Sequence, residues 1–111
     1  MGTKLAIVLK VTRRVSGLTQ HDLAILLGVD RTVISKLERG RWYPTGEQVA
    51  LLCIIYGHSS LPIIYEKSRP ELIALLATRI QAIRVKQRNA ARTTTINSLN
   101  ARLITSSPTY D

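Results

Sequence analysis

Apolar residues recur with helical spacing along most of the chain, and no apolar/polar alternation of strand length stands out. Leu5, Val8, Leu9 and Thr12 fall at i, i+3, i+4 and i+7, which predicts a first helix over 4–16 with that face toward the core. Gly17 suits its C-terminal cap. Thr19, followed three residues later by Asp22, forms a variant capping box and opens a second helix. Leu23, Ala24 and Leu27 are its buried stripe, and Gly28 ends it. Asp30 is a good N-cap for a third helix, in which Val33, Ile34 and Leu37 carry the buried spacing. Arg39-Gly40 closes that helix, with the cation at the negative end of the helix dipole.

Only Gly28-Val29-Asp30 separates the second and third helices. A connection that short, containing glycine, makes the two helices cross steeply, as in a helix-turn-helix. Arg41-Trp42-Tyr43-Pro44 reads as a loop. A fourth helix runs from a Thr45 cap to Tyr56, is apolar nearly all round, and stops at Gly57. A short fifth helix is expected over 61–66. Ser68-Arg69-Pro70-Glu71 is a further helix start: a Ser cap, Pro in the first turn and Glu at the third position. The helix it opens is expected to reach about Ala91, roughly 35 Å at 1.5 Å per residue. Thr93, Thr94 and Thr95 weaken it. Ile96, Leu99 and Leu103 resume helical spacing, and the tail 106–111 is expected to fray. The expected fold class is all-α: a five-helix unit over residues 1–66 with a helical extension over residues 67–111.

With 111 residues the chain fits one compact domain plus a short appendage, and it is too short for a (β/α)₈ barrel or a full dinucleotide fold. Sixteen Lys and Arg against seven Asp and Glu give a net charge of +9, which points to a polyanion and to nucleic acid first. The excess is uneven. Residues 1–66 carry 8 basic and 5 acidic residues, a net of +3; residues 67–111 carry 8 and 2, a net of +6. The one cysteine, Cys53, fits a reducing cytosol and reads as buried packing. No apolar run is long enough to span a membrane, and no secretory signal stands at the start, so a cytoplasmic protein with no membrane partner is expected. His21 and His58 have no companions at metal-ligand spacing. No phosphate loop, nucleophile set or paired carboxylates appear, so neither an enzyme, a metal nor a cofactor is expected.

The stretch from Gly17-Leu18-Thr19-Gln20 through Leu23-Ala24, Leu27-Gly28-Val29 and Ile34-Ser35 to Glu38-Arg39-Gly40, with Pro44 beyond, resembles the lambda-repressor-like, or XRE-type, helix-turn-helix family. The resemblance covers about residues 3–66. It implies a five-helix DNA-binding domain whose recognition helix is residues 30–40. A recognition helix presents the side chains of its N-terminal end to base edges in the major groove. Those positions are Arg31, Thr32, Ser35 and Lys36. Arg31 can bind guanine O6 and N7 together, and Thr32 can touch a thymine methyl. The resemblance also implies that Gln20, at the first turn of the second helix, grips a phosphate, which a helix N-terminus favours. Arg39 and Arg41 suit phosphate contacts. By the same resemblance Arg13 and Glu38 form a partly buried ion pair, with Arg13 also near a phosphate. Trp42 and Tyr43 are expected to pack as core or loop anchors.

Some features depart from the family pattern. Ile25 and Leu26 stand where charged residues are usual, and Ile7, Val11 and Val15 make a second apolar stripe on the first helix. Together with the fourth helix this is more apolar surface than a 66-residue core can bury, so the C-terminal helix, a second subunit or both are expected to cover it. In the extension, Leu72, Ile73, Leu75, Leu76, Ile80 and Ile83 are interleaved with Arg79, Arg84, Lys86, Arg88 and Arg92. It could dimerise, add DNA contacts through Arg84, Arg88 and Arg92, or dock an acidic protein partner. The function these features imply is a sequence-specific regulator of transcription that binds double-stranded DNA: a homodimeric repressor on an inverted repeat. The alternative is an antitoxin-like regulator that binds a protein partner through residues 67–111 and controls its own promoter.

Overall fold

A computed structural model of the chain describes residues 2–57, 69–84 and 89–106. The described residues form six α-helices and no strand: α1 (Gly2–Ser16), α2 (Gln20–Leu27), α3 (Arg31–Glu38), α4 (Gly46–Tyr56), α5 (Arg69–Ile80) and α6 (Ala90–Ser106). The fold is all-α, as the periodicity requires. The short helix expected over 61–66 and the tail 107–111 lie outside the described residues.

At Thr19 and Thr45 the capping chemistry works as the sequence implies. Thr19 accepts a hydrogen bond from the Asp22 N–H while Asp22 accepts one from the Thr19 N–H, both at 3.0 Å. Thr45 and Gln48 repeat the arrangement at the start of α4. Gly17, Gly28, Gly40 and Gly57 all have positive φ, between 68° and 79°. Gly17 is held to glycine twice over. Beyond its left-handed backbone, the main chain of α6 passes so close that a Cβ there would collide with the Arg92 nitrogen and the Ala91 carbonyl carbon.

The centre of the molecule is α4, buried without interruption from Ala50 to Ile55. It packs between α2 and α5, while α1 packs on α3 and α6, and α5 on α6. One apolar core runs from Leu18, Leu26, Ile34 and Leu51 to Leu76, Leu99 and Leu103, and Leu9 of α1 packs against it. Helices α5 and α6 thus cover the apolar surplus of α2 and α4: Leu26 is fully buried and Ile25 half-buried against the core.

Two expectations are corrected. The inward face of α1 is not Leu5-Val8-Leu9-Thr12. Val8 is 58% exposed and Leu5 39%, whereas Ala6 and Arg13 are buried. The inward residues, Ala6, Leu9, Arg13 and Ser16, are themselves at helical spacing, and the need of Arg13 to reach Glu38 sets the rotation. Ile7, Val11 and Val15 stay outside, as the sequence implies. Second, the long helix from Arg69 does not reach Ala91: α5 ends at Ile80. The chain then tightens, with the Ala82 N–H donating to Arg79 and the Ile83 N–H to Ile80, and Ile83 turns into the core. No Gly or Pro marks this break; burying Ile83 and docking α6 against α5 outweigh the local propensity. The start of α6 does carry a signal, because the Asn89 side chain caps the Arg92 N–H at 3.1 Å. The threonines that were expected to weaken the helix lie within α6, and the Thr95 hydroxyl donates to the free Ser16 carbonyl at the end of α1, at 2.6 Å.

Candidate nucleic-acid interface

The turn between α2 and α3 follows from Gly28 and Asp30. Gly28 adopts the left-handed conformation (φ 68°, ψ 36°), and its N–H bonds back to the last turn of α2. Asp30 then returns the chain to extended backbone and begins α3. Its side chain makes no capping bond but accepts the Thr32 hydroxyl at 2.7 Å. That hydroxyl holds the Asp30 carboxyl below its ordinary pKa.

Ile34 and Leu37 bury one side of α3 and leave the other to solvent. Arg31 and Thr32 are exposed at the helix's N-terminal end; Ser35 and Lys36 are half-buried further along the same face. Arg39 and Arg41 are exposed just beyond it, with the Arg39 Nε donating to the Ser35 carbonyl at 3.3 Å. Trp42 and Tyr43 are not core anchors: they are 50% and 65% exposed and line an open cleft with Val29, Val33 and Gln48. The Lys36 ammonium sits 4.1 Å from the centre of the Trp42 ring, a contact across the loop that nothing in the local sequence signals.

Behind this face lies the ion pair that the family resemblance implies. Arg13 grips Glu38 with two hydrogen bonds, from Nε at 2.6 Å and Nη2 at 3.0 Å, and its Nη1 donates to the Leu18 carbonyl at 2.9 Å. Arg13, expected also to lie near a phosphate, is buried, and its guanidinium is engaged by Glu38 and Leu18. Gln20 is half-buried, and its amide donates to Glu38 at 3.1 Å. Burial alone would push the Glu38 carboxyl up. The hydrogen bonds from Arg13 and Gln20, with the charge of Arg13, more than offset this and hold it below the ordinary range.

A second pair ties the extension to the same unit. Arg92, expected as an auxiliary DNA contact, instead binds Asp22 through Nε at 2.6 Å and Nη2 at 2.9 Å, with Nη2 also donating to the Arg84 carbonyl. Asp22 behaves like Glu38: burial raises its pKa, but Arg92 and the Thr19 N–H bring the balance below the ordinary value. Two more arginines of the extension cap helices. Arg79 donates to the Leu26 carbonyl near the end of α2, and Arg102 to the Ile54 and Ile55 carbonyls at the end of α4. Three of the eight basic residues beyond 66 are thus turned onto the helices they cover. Arg84 is exposed, and Arg88 lies outside the described residues. The partners of Arg79, Arg92 and Arg102 on α2 and α4 are 47 to 70 residues away in sequence, so local pattern gives no hint of them.

The depressed carboxyls of Glu38 and Asp22 make the fold acid-sensitive. A carboxylate whose folded pKa lies below its unfolded value stabilises the fold at neutral pH, and that contribution is lost as pH falls through the folded value. The urea midpoint is therefore expected to be level above the ordinary values of 4.5 for Glu38 and 3.8 for Asp22, and to drop beneath them. Asp22→Asn should flatten that drop while lowering the neutral-pH midpoint.

A sharp two-helix unit with an exposed, basic second helix defines a helix-turn-helix DNA-binding domain. The chain belongs to the helix-turn-helix domain family, whose model matches residues 4–60. No curated protein and no solved structure matches the chain. No helix among the described residues is long and apolar enough to cross a membrane.

Proposed function

We propose that the protein is a cytoplasmic, sequence-specific regulator of transcription that binds double-stranded DNA as a homodimeric repressor on an inverted repeat. The observation that carries this reading is the exposure of Arg31 and Thr32 at the N-terminal end of α3, on a helix anchored from behind by Ile34 and Leu37. Side chains at that end reach base edges, and Ser35 and Lys36 extend the same face. Arg39, Arg41 and the N-terminus of α2 with Gln20 hold phosphates and set the register. Residues 1–66 do the reading; α5 and α6 brace them. Repression follows from occupancy of a promoter rather than from chemistry.

The dimer reading is supported by α1. Ile7, Val8, Val11 and Val15 are each more than half exposed, and none of them joins the core. Val8, Val11 and Val15 have the a, d, a spacing of a two-helix seam, with β-branched residues at the a positions. Val11→Asp is expected to turn a dimer into a monomer in sedimentation equilibrium while leaving the helical content unchanged.

The base-reading assignment is tested by Arg31→Ala. It should cost roughly 1–3 kcal/mol on the preferred duplex and relax the preference at one base pair. An equal loss on every duplex would refute base reading at Arg31.

A further inference from the structure

We infer that Trp42 is a positioning residue for base reading: its ring holds the Lys36 ammonium in place on the exposed face of α3. The inference rests on α3 being the DNA-reading helix. Three observations carry it. The Lys36 Nζ lies 4.1 Å from the centre of the Trp42 ring, well inside the range over which a cation is drawn to the face of an indole. The ring is half exposed, so filling the core does not account for its place. And the loop that carries it is tied to Lys36 itself: the Arg41 N–H donates to the Lys36 carbonyl at 3.0 Å, and the Gly40 N–H to the Leu37 carbonyl at 3.2 Å, with Gly40 at φ 75°. The ring is thereby fixed relative to the backbone of the lysine it holds.

The electrostatics leave Lys36 to the ring. Glu38, two residues on, is taken by Arg13 and Gln20. A lysine has a long, flexible stem and loses much rotamer freedom when it settles on one base. A ring that already restricts those rotamers lowers that loss, by preorganisation. The loop after the recognition helix then affects which base pair is discriminated without touching a base.

The test is a double-mutant cycle in the full chain, read as discrimination between the preferred duplex and its single base-pair variants. Trp42→Ala should weaken binding to the preferred duplex by roughly two- to fivefold and flatten discrimination at one base pair. Trp42→Phe, which keeps a ring face, should retain most of both. In a Lys36→Met background, Trp42→Ala should do nothing further. The same loss with or without Lys36 would overturn the inference, because the ring would then be touching DNA or supporting the fold. Tighter binding by Trp42→Ala would also overturn it, since the ring would be competing with DNA for the lysine. Wild-type selectivity that Trp42→Ala leaves intact would defeat this inference alone; a wild-type protein that binds every duplex alike would defeat the DNA-reading assignment as well. Trp42 is the single tryptophan of the chain, so its fluorescence reports the contact without DNA. Lys36→Met should change the emission, and an unchanged spectrum would mean that the ring does not hold the ammonium.

Discussion

A chain truncated after residue 66 should fail to hold the fold of the full-length protein, although the family match ends at residue 60. Truncation removes Leu72, Ile73, Leu76, Ile80, Ile83, Ile96, Leu99 and Leu103 from the core, all at most 8% exposed. Burying each such side chain stabilises a fold by about 1.5–3 kcal/mol. The faces of α2 and α4 that these side chains cover would be left in water. Arg79, Arg92 and Arg102 would also leave behind the Leu26 carbonyl, the Asp22 carboxylate and the end of α4. Circular dichroism and a denaturant titration of the truncated chain should show little helix and no cooperative transition. A sharp transition at the full-length midpoint would show that α5 and α6 are not needed.

Arg13→Ala is the point substitution with the largest expected cost, about 3 kcal/mol. The pair it breaks is enclosed, with side-chain exposures of 11% for Arg13 and 3% for Glu38. Removing the guanidinium strands a buried carboxylate that keeps only the Gln20 amide, and it frees the Leu18 carbonyl. The melting temperature should fall by on the order of 10 °C in a domain of this size. Arg13→Met combined with Glu38→Leu should cost less than Arg13→Ala alone, because the stranded charge, not the loss of attraction, dominates the penalty. A double variant that sums the two single losses would contradict this.

Local signals made most of the fold legible in the sequence. The Thr19/Asp22 capping pair, the Thr45 cap and the four turn glycines depend on neighbours a few residues away, and they placed α2, α3 and α4. Two features were hidden for the same physical reason, namely that distant contacts decided them. The rotation of α1 is set by Arg13 reaching Glu38, 25 residues on. The end of α5 is set by Ile83 entering a core built from other helices. Asn89 is a cap legible in the sequence, since its side chain lies three residues before the Arg92 N–H that it accepts. At the candidate interface, Arg31, Thr32, Ser35 and Lys36 follow from the position of α3, whereas the Lys36–Trp42 contact depends on a loop conformation that no spacing rule supplies.

The net charge of +9 first indicated a polyanion, and the larger share of it lies beyond residue 66. Much of that share serves the fold. Arg79, Arg92 and Arg102 cap and clamp the helices of the other half. The cations exposed on and just beyond α3 belong to the less basic half: Arg31, Arg39 and Arg41, with Lys36 half-buried beside them. The most direct test of the account is selection of bound duplexes from a pool of genomic fragments by the full-length protein. The expected result is enrichment of a short inverted repeat whose half-sites lie about one helical turn apart, roughly 10 base pairs. Recovery of fragments with no shared sequence would contradict the account.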